Sequence, residues 1–125
     1  MTPGDLLAAA RELITRPDVG TAGVWPRTSA LLARQALEQA VDSWWATLPE
    51  TSGLVRAKMR SQMICLPSYL DEALAHQIAY TWAALSNACH YHPYELAPTS
   101  AELNSWIYDV ARLVALIEDS RAEPR

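Results

Sequence analysis

The stretch Ser86-Asn87-Ala88-Cys89-His90-Tyr91-His92-Pro93-Tyr94-Glu95-Leu96-Ala97-Pro98-Thr99 concentrates the side chains most able to do chemistry. Three uses are open to it. Histidine moves protons near neutral pH, so His90 and His92 can act as general acid and base. Asn87 can orient a 2′-hydroxyl, and Tyr91 or Tyr94 can stack on a base. Together these are the parts of metal-independent RNA cleavage, which also needs a cation for the phosphate. Alternatively, Cys89, His90, His92 and Glu95 are each competent zinc ligands. Their spacing follows no recognised ligand pattern and no second ligand pair accompanies them, so neither a metal nor another cofactor is expected. The third use is architectural: the aromatic and imidazole rings staple a loop to its scaffold, with Pro93 and Pro98 stiffening it.

The missing part of the first reading is the cation. No arginine lies within the loop, and the nearest basic group is Arg56-Ala57-Lys58-Met59-Arg60, in a stretch from Thr51 to Ser61 with no acid. On a continuous helix Arg56 and Arg60 would lie one turn apart and project together, as a phosphate site or as a solvated face. His76, beside Gln77 in mid-helix, is expected to be a core or interface histidine. Trp44 and Trp45 are adjacent and point in different directions. At least one is therefore expected at a helix rim or a subunit contact, where aromatic side chains anchor partners.

The elements that must position these residues are helices. The chain has 125 residues, among them 21 Ala and 16 Leu and no Phe. Ala and Leu lose little on entering a helix, and the β-branched strand formers are few. Proline divides the sequence. A short helix from Asp5 to Thr15, with Asp5 as its N-cap, stops at Arg16-Pro17, because the residue before proline is pushed out of the α region. Pro17 to Trp25 reads as a loop. A second helix runs from Pro26 to Leu48, with Leu37, Val41, Trp44 or Trp45, and Leu48 on one face. A third, weaker helix covers Leu54 to Leu66.

The fourth helix starts at a Ser68 cap with Asp71 and Glu72 behind it, and ends near His90. Leu70, Leu74, Ile78, Trp82 or Thr81, Leu85 and Cys89 form its apolar stripe. Ala73, Tyr80, Ala84 and Ala88 form a smaller face that another helix can approach closely. The last helix opens with the capping box Thr99-Ser100-Ala101-Glu102. Its buried face is Leu103, Trp106, Ile107, Val110, Leu113, Val114 and Ile117. The expected fold is all-α, an antiparallel bundle of four to five helices in a single domain over 1–125. Residues 1–24 form the N-terminal helix and loop, 26–118 the core bundle, and 119–125 a frayed tail.

Composition excludes some functions. The net charge of -4 argues against a generic polycationic nucleic-acid binder. No apolar run reaches the roughly 20 residues of a membrane span, and Met1 to Asp5 lacks the basic start of a signal peptide. Two cysteines are too few for a disulfide framework, and a cytoplasmic location is expected. The charge is uneven: residues 1–64 hold 7 basic and 6 acidic side chains, residues 65–125 hold 3 and 8. The half that carries the histidine loop thus bears an excess of five acids, which disfavours RNA there and favours a protein partner.

The helix Leu31-Leu32-Ala33-Arg34-Gln35-Ala36-Leu37-Glu38, the later helix ending Leu85-Ser86-Asn87-Ala88-Cys89-His90, the short proline-containing loop and the capped final helix together resemble a HEPN domain over roughly Thr28 to Glu118. The resemblance implies a helical domain that commonly dimerises with its polar motif facing the partner subunit. It also implies membership of a group rich in metal-independent ribonucleases of toxin–antitoxin, CRISPR and phage-defence systems. Active members carry an arginine separated from the histidine by four to six residues. Here Leu85, Ser86 and Asn87 precede His92 at those distances, and Ala83, Ala84 and Leu85 precede His90. Only the polar residue and the histidine of the motif are matched.

The sequence therefore reads as a non-catalytic or weakly active HEPN-like module in a bacterial RNA-targeting, toxin–antitoxin or phage-defence system. It would act as a homodimer that binds a protein partner or RNA, with no membrane role. Asn87, His90 and His92 are the candidate catalytic residues. Tyr91, Tyr94, Arg56, Arg60, Trp44 and Trp45 are the candidate binding residues. One alternative is a helical protein–protein adaptor using the Trp44/Trp45 and Ala73/Tyr80/Ala84 faces. The other is an active ribonuclease whose cation comes from Arg34 or Arg60.

Overall fold

The computed structural model describes residues 1–15, 25–90 and 96–122. They form five α-helices, α1 (Pro3–Thr15), α2 (Trp25–Trp45), α3 (Met59–Cys65), α4 (Glu72–Cys89) and α5 (Ser100–Ala122), with 3-10 turns at Pro49–Arg56 and Leu66–Ser68. No strand occurs among the described residues. The protein is an all-α bundle.

Side-chain contacts set the directions. Ser29 Oγ donates to the Ala10 carbonyl at 3.1 Å and Gln39 Nε2 to that of Met1 at 2.7 Å, so α1 and α2 are antiparallel. Trp82 Nε1 reaches Glu38 Oε2 at 3.0 Å while Arg27 reaches Ala88, so α2 and α4 are antiparallel as well. Arg112 bonds Gln77 while Asn87 shares a cleft with Glu102 and Trp106, which gives the same relation for α4 and α5. The four long helices thus run up, down, up, down. The central helix is α2, which packs against α1, α4 and α5. Its neighbours approach closely because Ala30, Ala33, Ala36 and Ala40 are all buried. Leu37, Ile78, Leu85, Leu103, Ile107 and Leu113 fill the centre.

Several boundaries differ from the expectation for physical reasons. Thr2, not Asp5, caps α1: Asp5 N–H donates to Thr2 Oγ1 at 3.1 Å and Thr2 N–H to Asp5 Oδ2 at 2.9 Å, a reciprocal box. Pro3 then occupies the first helical position, where its missing N–H costs nothing. Asp71 rather than Ser68 caps α4, its Oδ2 accepting from Leu74 N–H at 3.0 Å, because Ser68 is spent in the preceding 3-10 turn. The α2 helix ends at Trp45, with Leu48 in the turn beyond.

The expected helix from Leu54 to Leu66 is broken at Ala57 and Lys58, both extended with ψ of 157° and 144°. Leu54 and Met59 both pack on the core. On one continuous helix, five residues apart, they would point about 140° away from each other. The break lets both reach inward, and Gln62 Nε2 satisfies the exposed Ala57 carbonyl at 3.0 Å.

The buried face of α4 is centred on Ala75, Ile78, Thr81, Leu85 and Ala88, with Leu74, Trp82 and Cys89 half-buried at its edge. His76, expected in a core or an interface, is exposed. In α5 the expected apolar face is buried except for Trp106, which is half-buried. Trp44 and Trp45 are 4% and 0% exposed. Neither ring is a rim contact, because the end of α2 is enclosed on more than one side. Trp45 packs edge-on against Trp44 at 4.9 Å between ring centroids, and against Tyr69 from the turn before α4 at 5.4 Å. Of the expected loop Pro17 to Trp25 only Trp25 is described, as the first residue of α2; the expected frayed tail is still helical through Ala122, and residues 123–125 lie outside the described residues.

Candidate functional site

The end of the bundle where α4 stops holds a cleft of about 340 Å3. The first turn of α2 contributes Arg27, and the last turns of α4 contribute Ala84, Asn87 and Ala88. Leu96, Pro98 and the start of α5, with Glu102 and Trp106, close the other side. Of the candidate catalytic residues, Asn87 lines this cleft and is exposed. His90 is exposed next to it as the C-cap of α4, extended at ψ 137°, but is not part of the wall. Tyr91, His92, Tyr94 and Glu95 lie outside the described residues.

Arg27 is the residue that sequence reasoning missed. Its guanidinium donates to the Ala88 carbonyl at 3.3 Å and also to the His90 carbonyl. These carbonyls are the unsatisfied, partly negative end of α4, whose last turn has no basic residue of its own. Arg27 supplies that charge from 61 residues away in sequence. The only advance signal was the antiparallel pairing of α2 with α4, which brings the first turn of one to the last turn of the other.

The opposite wall is acidic. Glu102 closes the capping box expected at this point: Oε1 accepts from the Thr99 N–H and Oγ1, each at 3.1 Å, while Thr99 Oγ1 accepts from Glu102 N–H. The cleft thus carries one guanidinium directed at helix carbonyls, one carboxylate directed at a helix start, an open amide at Asn87 and an apolar lip at Leu96, which is 97% exposed. Such a mixture suits the backbone and side chains of a polypeptide better than a phosphate, which would face Glu102.

The other cations are placed elsewhere. Arg56 ends the 3-10 turn and Arg60 opens α3, both exposed and separated by the break at Ala57-Lys58. They are not consecutive turns of one helix. Neither lines the cleft that holds Asn87. Arg34 is half-buried between α2 and α4, with Nε 3.8 Å from Glu38 Oε2. Within one chain neither Arg34 nor Arg60 lines the cleft with Asn87.

Cys89 is half-buried on the α2 side of α4, and burial raises its thiol pKa above the ordinary 9.0. Arg34 and Arg27 oppose that rise and Glu38 adds to it. The neutral thiol is favoured, the form that packs rather than the form that attacks or ligates. Among the described residues no three His, Cys, Asp or Glu side chains gather as a metal site, and no helix is long and apolar enough to cross a membrane. No family model, curated protein or solved structure matches the chain.

Proposed function

We propose that the chain is a HEPN-like module, non-catalytic or weakly active, that works by dimerisation and partner binding in a bacterial RNA-targeting, toxin–antitoxin or phage-defence system. The observation that carries this reading is the exposed polar face at the end of α4. Ala83, Asn87 and His90 follow one another at helical spacing and are all exposed, beside the bare side chain of Leu96. A polar motif next to an apolar lip is a surface prepared for a second polypeptide. Dimerisation through it would place Asn87 and His90 against the partner subunit, as the HEPN resemblance implies. Catalysis is disfavoured by electrostatics: the guanidinium nearest Asn87 is bonded to helix carbonyls, and Glu102 faces the space a phosphate would need.

A purely protein-binding adaptor is the second reading. Burial removes Trp44 and Trp45 from its contact surface. Its other face retains support, since Ala73 and Tyr80 are both exposed.

Incubation with mixed RNA in EDTA tests the first reading. The wild type is expected to leave RNA intact, as is the His90→Ala, His92→Ala variant. Cleavage by the wild type that vanishes in the variant would overturn the non-catalytic assignment and revive the ribonuclease.

A further inference from the structure

Two adjoining hollows lie between α4 and α5, toward the end away from Asn87. They measure about 440 Å3 and about 290 Å3. Both include Gln77 and Arg112, so they adjoin as one groove crossed by the Arg112–Gln77 hydrogen bond. Tyr80 is 77% exposed within it. Leu116 is exposed at the far end. Ala73 presents no bulk on the α4 side, which lets another backbone come close.

The charges along the groove have one dominant sign. Asp71, Asp109 and Asp119 line it against one guanidinium, Arg112, and one imidazole, His76. Both terminal amino groups of Arg112 donate to Gln77 Oε1 at 3.2 Å, tying α5 to α4. A second copy of this chain docked groove to groove would add three more carboxylates, and a nucleic acid would add phosphates. Both are opposed by the field already present. Lysine and arginine beside an apolar face are what the groove complements.

We infer that the α4/α5 groove docks a basic amphipathic helix of a protein partner, its apolar face on Tyr80 and Leu116 and its cations on Asp109 and Asp119. This rests on the reading of the chain as a binding module and specifies the partner's chemistry. From Asp71 to Tyr80 the groove is about 14 Å long, and a helix of three to four turns covers it.

The test is a fluorescence-anisotropy titration of the whole protein against a labelled helical peptide of about 16 residues, with leucines on one face and lysines and arginines beside them. A control peptide has glutamates in place of the basic residues. The basic peptide is expected to bind saturably, and to weaken as salt rises from about 50 to about 300 mM. The acidic peptide is expected not to bind. Asp109→Lys with Asp119→Lys lowers the affinity roughly three- to tenfold, and Tyr80→Ser lowers it at least about fivefold. Arg112→Gln raises it about two- to threefold, a gain that misfolding does not produce. Equal binding of both peptides, no saturable binding, or indifference to these substitutions would overturn the inference. So would displacement of the peptide by single-stranded RNA, or saturation that falls as protein self-associates. The variants lie away from Asn87 and His90. A dimer mass that persists without peptide binding therefore rejects the groove alone and leaves the module reading intact.

Discussion

Arg27 and Ala88, 61 residues apart, are joined by a hydrogen bond from the guanidinium to the carbonyl at 3.3 Å, which fastens the start of α2 to the end of α4. Removing a charged donor from such a helix end costs about 1–3 kcal/mol. Arg27→Ala is expected to lower unfolding stability by that amount in a urea titration and to loosen the cleft around Asn87. Arg27→Lys restores the charge but not the forked geometry, and recovers only part of the loss.

The aromatic cluster at the other end of α2 gives a prediction of opposite location. Trp45 is fully buried between Trp44 and Tyr69. Trp45→Ala is expected to cost about 3–5 kcal/mol, measured by denaturant unfolding. A Trp45 placed at a subunit contact would instead weaken association while leaving the isolated chain stable.

The elements legible in the sequence are those fixed by local chemistry. The Thr99/Glu102 box lies within four residues, and the face Leu103, Ile107, Val110, Leu113, Val114 and Ile117 follows one helical period. The elements misread depend on distant packing. The break at Ala57-Lys58 arises because Leu54 and Met59 must reach one core. Burial of both Trp44 and Trp45 requires several neighbours at once. Of the candidate site, Asn87 was legible from the local concentration of polar residues. Arg27 was not, because nothing near it in sequence points to the end of α4.

Cys89 predicts an alkaline instability. Its folded pKa is raised above 9.0 by burial, so between the unfolded and folded values the unfolded chain releases a proton that the native chain keeps. The contribution is intact below the unfolded value and is lost as pH rises through the folded one. The thermal midpoint of the wild type is expected to fall more between about pH 8 and about pH 10 than that of Cys89→Ala. Equal slopes would contradict the placement of this thiol.

Asp5 predicts the reverse at low pH. Bonds from the Thr2 N–H and hydroxyl hold its carboxyl below the ordinary 3.8, so capping is present above that value and lost as pH falls through the folded one. Amide exchange in the first turn of α1 is expected to lose protection on acidification, before the rest of the bundle. Thr2→Ala is expected to show the same fraying already at neutral pH.

Association through the exposed face at the end of α4 is the central claim, and light scattering after gel filtration tests it most directly. The wild type is predicted to elute with twice the chain mass of 13.8 kDa, and Asn87→Arg with Leu96→Asp to elute at the single-chain mass with unchanged helical circular dichroism. A wild type that remains a monomer at high concentration would contradict the account.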